Sequence, residues 1–261
     1  MDNIFDRKDL PLSDLQKLGL YSGGDIHLEK EDLDALLAGR RTNMISLKDL
    51  KGEGVHIEQL DARLSLSRQP DGRISLNVHP IYKEAIQHPL LINSEAEQLI
   101  QGNLSNISKT HNGPLGTKTY IIEYDKDTRE FVSYDPENVR APDKVNGQPL
   151  SDAQKDRFRN GMPVDLEDGT RFQYRASERK GLLSNRTGLI LSLLIDGGIS
   201  YLVFNQLNNL LGNREKQKDA YSEGYNKALE EMKIGQRERE RINDINIRNQ
   251  QSRGYGRGTA R

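Results

Sequence analysis

The side chains that could do chemistry are numerous but scattered. The five histidines stand at 27, 56, 79, 88 and 111; no HExxH pair occurs, and no histidine/aspartate cluster has metal-ligand spacing. His79 precedes Pro80 at a strand end, where packing or a local hydrogen bond accounts for it. The chain has no cysteine. That excludes disulfides, thiol nucleophiles and cysteine-held zinc, and suits a reducing cytoplasm. There is no GxxxxGK[ST] phosphate loop and no GxSxG elbow. "YSGGD" (21–25) and "GTK" (116–118) lack the strand–loop–helix setting that phosphate binding needs. Glu29, Glu31, Asp32 and Asp34 fall in one helical run, so a solvated face is expected rather than an acid/base pair. These residues predict no catalytic site, no cofactor and no metal.

The basic residues form three groups: Arg40 and Arg41 in "GRRT", the run "RASERK" at 175–180, and the C-terminal arginines. From 233 to 261 there are eight positive and three negative side chains. A glycine-spaced basic arm of this kind makes sequence-independent phosphate contacts or simply keeps a chain dissolved. Arg40, Arg41, Arg248, Arg253, Arg257 and Arg261 are the candidate nucleic-acid contacts. For the whole chain, 38 Lys+Arg against 39 Asp+Glu give no net field toward nucleic acid or membrane.

The elements that must position these groups are short. Ser13 and Gly19 bracket one helix, and Leu33, Leu36 and Leu37 recur at helical spacing before Gly39. In "ARLSLSRQPDGRISLNVHP" two alternating runs flank Pro70-Asp71-Gly72, which predicts an antiparallel hairpin with one wet face. Capping-box spacings at Ser94/Glu97 and Ser151/Gln154 start two further helices, stopped by Gly102 and Gly161. "NLSNISKTHNGPLG" (103–116) has linker composition. Strands are expected at 119–124, at 131–132 and around the Glu167-Asp168-Gly169 turn. An apolar fraction of 34% and a charged fraction of 30% favour two modest cores over one large core. The expected class is α+β: a helix/hairpin module over 1–102, a linker over 103–116, a strand-rich module over 117–186, an apolar segment over 187–212 and a charged helix with a disordered basic tail over 213–261.

The apolar segment stands apart. From Gly188 to Phe204 the only charged residue is Asp196, joined by Ser192 and Ser200. As a helix these 17 residues would span about 25 Å, short of a hydrocarbon core of about 30 Å. Being apolar nearly all round, such a helix belongs in lipid or in protein. On that reading Leu189, Leu193, Asp196, Gly197, Tyr201 and Phe204 lie on a membrane or self-association helix over 188–211. The alternative is a hairpin turning at Asp196-Gly197-Gly198, whose first arm would need burial on both faces. The N-terminus shows no secretory signal, which places the chain in the cytoplasm, with the inner face of the membrane left open by the apolar segment.

Five strings carry a resemblance: "LPLSDLQKLGL", "LLAGRRT", "ARLSLSRQPDGRISLNVHPI", "VNGQPLSDAQKDRFRNGMPVDLEDGTRF" and "DGGISYLVFNQLNNLLG". Over roughly residues 10–212 they resemble paired domains of unknown function in Bacteroidetes proteins, many carried on conjugative or other mobile elements. Leu150, Ser151, Gln154, Gly161 and Val164 carry the most distinctive pattern. The resemblance implies an intracellular accessory protein of mobile DNA and brings no reaction with it. The expectation is therefore a non-enzymatic interaction or scaffold protein with an unknown protein partner. A nucleic-acid-binding accessory factor and an enzyme with an unrecognised carboxylate site are the alternatives.

Overall fold

In the computed structural model the described residues are 4–52, 55–69, 71–113, 116–195, 198–210, 216–218 and 221–254. Four apolar clusters organise them, and the class is α+β, as expected.

The first cluster joins α1 (Leu12–Lys17), the short pair β1 (Tyr21–Ser22) and β2 (Asp25–Ile26), α2 (Lys30–Leu37), and an antiparallel sheet of β3 (Ile45–Gly52), β4 (Val55–Arg68) and β5 (Ile74–Pro80). The alternation read from the sequence sets the faces of that sheet. Leu64 and Leu66 are buried with Ile74, Leu76 and Val78 packed beside them, while Ser65 and Ser67 point to the polar side with Asn77. Gly19 and Gly39 end α1 and α2 with positive φ. Ser13 lies inside α1 and makes no cap; Pro11 precedes the helix instead. Pro70, part of the expected turn, is outside the described residues.

The second cluster is built by α3 (Asn93–Ile100) on a sheet of β6 (Ile107–Gly113), β7 (Gly116–Asp125) and β8 (Glu130–Tyr134). Two expectations are corrected at this sheet. The stretch expected to be a linker carries β6, paired residue for residue with β7 from Ile107↔Ile122 to Gly113↔Gly116. Ser108, Thr110 and His111 occupy an exposed edge strand, where polar composition carries no penalty. The cap of α3 is shifted by two residues: the Glu95 carboxylate accepts the Ile92 N–H at 3.1 Å, not Ser94 with Glu97. At α4 (Asp152–Arg159) the expected box does form, with Ser151 Oγ accepting Gln154 N–H at 3.3 Å and Gln154 Oε1 accepting Ser151 N–H at 3.0 Å.

The largest cluster surrounds α4. The hairpin β9 (Lys144–Val145) and β10 (Gln148–Pro149) precedes it; β11 (Val164–Asp165), β12 (Arg171–Tyr174) and β13 (Leu182–Ser184) follow. At its heart Phe158 faces Phe172 and Tyr174 at ring-centroid distances of 5.9 and 5.6 Å, and Tyr134 meets Tyr174 edge-on at 5.1 Å.

The apolar segment is a hairpin, not a helix. Strands β14 (Leu189–Ile195) and β15 (Gly198–Phe204) pair from Leu189↔Phe204 to Ile195↔Gly198. Asp196, Gly197 and position 211 lie outside the described residues. The β-branched residues at 190, 195, 199 and 203 favour the strand, and burial on two faces explains the lack of alternation in β14. Leu189 and Leu191 enter the main core, with Leu202 and Phe204 packed against it, and Leu193 is buried too. On the opposite face Ile190 is covered by Tyr225 and Ala228, with Tyr201 alongside. Burying each of these large side chains stabilises the fold by roughly 1.5–3 kcal/mol. Tyr225 and Ala228 belong to α5 (Glu223–Gly254), whose start is capped by Ser222 Oγ accepting Tyr225 N–H at 3.0 Å. The strand β16 (Asn208–Asn209) returns parallel to β13. Among the described residues no helix is long and apolar enough to cross a membrane. The chain does supply cover for its apolar segment, by folding a charged helix over it.

Gly161 holds the second and third clusters together. It has φ +61°, and a Cβ there would lie 2.5 Å from Tyr134 Oη and 2.7 Å from Asn106 Nδ2. Gly161→Ala is expected to cost about 2–4 kcal/mol, from left-handed strain plus crowding. Gly19→Ala, with φ +72° but open space around it, should cost only about 1–2 kcal/mol. Urea unfolding of both variants checks the difference.

Candidate functional site

The polar face of the first sheet lies toward the second. At the junction, the turn between β7 and β8 presents a carboxylate with two jobs. Asp125 Oδ1 accepts the N–H groups of Asp127 and Thr128 at 3.0 and 3.4 Å, which shapes the turn. Its Oδ2 lies 3.1 Å from Arg41 Nη1 and 3.3 Å from Arg63 Nη1. Arg41 also donates to Thr128 Oγ1 at 3.0 Å and Glu130 Oε2 at 2.8 Å, while Arg63 reaches Asp127 and the Ser177 carbonyl. The Arg41 and Arg63 side chains are each 8% exposed, and that of Asp125 is 2% exposed. Arg40, also buried, donates to the Arg179 carbonyl at 3.0 Å. Arg40 and Arg41 are therefore not available to phosphates: their charge is spent inside the protein. Burial lowers the pKa of Arg40, against the pull of Tyr174 and Asp34.

A second buried carboxylate ties the third cluster in. Glu123 on β7 is fully buried and accepts the N–H groups of Ala176 and Ser177, each at 3.2 Å, and the Ser177 hydroxyl at 2.9 Å. Arg175 Nε lies 3.3 Å from Glu123 Oε2, an ion-pair distance without hydrogen-bond geometry. Burial pushes the Glu123 carboxyl above its usual range, outweighing Arg175 and the three donors. Arg179 completes the tie on the other side, meeting Glu31 at 2.8 Å, Glu29 at 3.4 Å and Asp32 at 3.7 Å. The acidic run expected to be a solvated face is thus partly an anchor, and Asp32 is buried, accepting the Asn43 N–H at 2.7 Å.

Beside this network a hydrogen-bonded chain crosses the polar sheet face. Ser65 Oγ stands 2.7 Å from His79 Nε2, and His79 Nδ1 stands 3.2 Å from Glu130. Burial alone would raise the Glu130 carboxyl, but His79 and Arg41 together hold it below its ordinary value. The order serine–histidine–carboxylate is that of a nucleophilic relay. Ser65, however, sits inside β4, not at a sharp turn where backbone N–H groups converge on an oxyanion. It also does not line the groove between the clusters. The arrangement works as a tie between sheets. Sequence reasoning missed it because His79 and Glu130 are 51 positions apart.

The ties enclose that groove, of about 910 Å³, where the clusters meet. Its walls come from β4, the end of α3, the β7–β8 turn, the 175–183 segment and 206–210. Arg63, Asp125 and Arg175 line it as members of the ionic network. Lys126 and Lys180 line it without a carboxylate partner among the described residues; Lys180 donates to the Asn205 carbonyl. Leu99, Leu104 and Leu210 give it apolar patches, and Gln206 and Asn208 give it amides. Of the remaining sequence-derived candidates, Arg248 and Arg253 fall on α5, and Arg257 and Arg261 lie outside the described residues. Leu189 and Leu193 are core residues, Phe204 packs on that core, and Tyr201 lies against α5.

These features define an α+β protein with an ion-locked, mixed-polarity groove. Residues 5–89, which carry the first sheet and its helices, match the family model described as a protein of unknown function (DUF4099). No curated protein and no solved structure matches the chain.

Removing Asp125 leaves two buried guanidinium groups without their shared counter-charge, so Asp125→Ala is expected to cost about 3–5 kcal/mol. Removing Asp34 from its exposed pair with Lys30 should cost under about 1 kcal/mol; denaturant unfolding compares the two. Glu123 has the opposite pH signature to a salt-bridged surface acid. Because its folded-state pKa is raised, its stabilising contribution is full below the ordinary glutamate range and is lost as pH rises through the raised value. Wild type should therefore gain stability relative to Glu123→Gln as the pH is lowered from about 7 to about 5. Parallel stability–pH curves for the two proteins would contradict this.

Proposed function

We propose that the protein is a non-enzymatic interaction protein, an accessory factor of a mobile genetic element, that docks an extended acidic polypeptide segment in the groove. The observation that carries this reading is the groove's chemistry. Lys126 and Lys180 present charge without a carboxylate partner among the described residues, beside amides able to bond a peptide backbone and leucines able to take apolar side chains. Tyr124 is the one aromatic side chain among the residues lining it, so stacked bases find little platform there. The mobile-element setting rests on the resemblance of residues 10–212 alone.

A nucleic-acid accessory role is the second reading, favoured by the exposure of α5. The helix is 32 residues long, about 48 Å, and its first turns pack on the hairpin. Arg237 and Arg241 are exposed on the part beyond.

Both readings are separated by fluorescence anisotropy with three labelled probes: a pool of acidic, leucine-containing peptides of about 12 residues, a matched basic pool, and single-stranded DNA. The acidic pool should bind, and Lys126→Glu/Lys180→Glu should weaken it about tenfold or more. DNA binding that falls steeply with salt and disappears on deleting 233–261 would instead support the arm. Acidic peptides bound no better than basic ones would remove the groove proposal.

A further inference from the structure

Arg63 lines the groove and pairs with two carboxylates that differ in their exposure to water. Asp125 Oδ2 lies 3.3 Å from Arg63 Nη1, and the Asp125 side chain is 2% exposed. Because it also pairs with Arg41, this carboxylate cannot leave without stranding two buried cations. Arg63 Nη1 donates as well to the carbonyl of the buried Ser177. Asp127 meets Arg63 Nη2 instead, and its side chain is 58% exposed. Its carboxylate has no second partner among the described residues. One Nη of the guanidinium is thus committed to buried groups and the other to a solvated aspartate. The β7–β8 turn does not draw its shape from that aspartate's side chain, since Asp125 Oδ1 holds the N–H groups of Asp127 and Thr128. Between the two aspartates stands Lys126, exposed and lining the groove, with no carboxylate partner among the described residues.

We propose that Arg63 is the receptor for an acidic side chain of the docked segment, and that Asp127 is its resident substitute, displaced on binding. The inference rests on the docking reading given above and names the contact that selects acidic segments. Opening the Arg63–Asp127 pair forfeits little, because water already screens the aspartate. A ligand carboxylate brought to Arg63 inside a filled groove is shielded from water, and its charge-assisted hydrogen bonds are correspondingly stronger. The rigid donor fork of the guanidinium pairs with either carboxylate in the same way. Asp127 then turns to solvent, where it remains a like charge close to the incoming carboxylate and lowers the affinity. An acidic segment must therefore outcompete the protein's own aspartate, which sets a threshold against weakly charged chains.

The test titrates wild type, Asp127→Asn and Asp127→Glu with the acidic and basic peptide pools, at a salt concentration of about 0.15 M that screens charges more than about 8 Å apart. The peptides carry amidated C-termini, so side chains are their only carboxylates. Asp127→Asn should bind the acidic pool about fivefold or more tighter than wild type, and Asp127→Glu should restore the wild-type affinity. A second measurement uses the unmutated chain: carbon-13 NMR of its aspartate carboxyl carbons, with the tightest-binding acidic peptide added. The Asp127 signal should move toward that of a free aspartate while the Asp125 signal stays in place. A general field effect would change affinity without that shift. If acidic peptides bind wild type but Asp127→Asn gains nothing, or the Asp127 signal does not move, the exchange is overturned and the docking reading stands. If acidic peptides bind neither protein better than basic ones, both fall. The NMR measurement decides the question even if Asp127→Asn does not fold.

Discussion

The arrangement of the whole chain depends on burying charge in pairs. Asp125 shapes its own turn with one oxygen and holds Arg41 and Arg63 with the other. Those arginines come from the first sheet and its helices, the aspartate from the second sheet, and Arg63 reaches on to the Ser177 carbonyl in the third cluster. A buried ion pair adds little net stability because desolvation offsets the attraction, but a mismatched one is costly. The network therefore acts chiefly as a constraint on placement. The clusters can meet in this arrangement or leave charges stranded. Glu123, with donors from the 175–177 segment, applies the same constraint from the same strand as Asp125.

The groove is a consequence of that constraint. Small cores meeting through polar faces do not interdigitate as apolar surfaces do, so a mixed-polarity cleft of about 910 Å³ remains between them. Its shape is set by side chains that are themselves fixed by ion pairs and hydrogen bonds, Arg63 and Arg175 among them, rather than by mobile loops alone. Pre-organisation of this kind lowers the entropy lost on binding. The serine–histidine–glutamate chain follows the same logic. Its members have the spacing of a catalytic relay, and its His79–Glu130 contact joins two sheets.

The apolar hairpin shows how a strong sequence signal can point to the wrong element. An all-round apolar run of 17 residues satisfies the periodicity of a helix, a doubly buried strand, and lipid-facing segments alike. What separates them is the cover available in space. Here the main core takes Leu189 and Leu191, and α5, which has few apolar residues of its own, places Tyr225 and Ala228 over Ile190. Close approach at Gly224 makes that possible: a Cβ there would meet the Asn146 carbonyl at 2.8 Å. The Asn146-Gly147 turn receives α5, and both of its residues have positive φ. That dipeptide is a hairpin signal in the sequence, but the two-residue strands beside it are too short to show alternation.

By itself the sequence determined the local elements: the β4–β5 hairpin from its alternation, the Ser151–Gln154 cap, the glycine stops at 19, 39, 102 and 161, and the α+β class. These follow from period, turn chemistry and backbone freedom, which act over a few residues. It did not determine which charged residues are solvated. Arg40, Arg41 and the Glu29–Asp32 run look like surface charge in any linear reading, and polar β6 looks like a linker. Only the tertiary structure decided that Arg41 meets Asp125 across 84 positions and Arg179 meets Glu29 across 150. The reason is physical: a charge has no local periodicity, and whether it is paired or exposed is fixed by the elements that fold back against it.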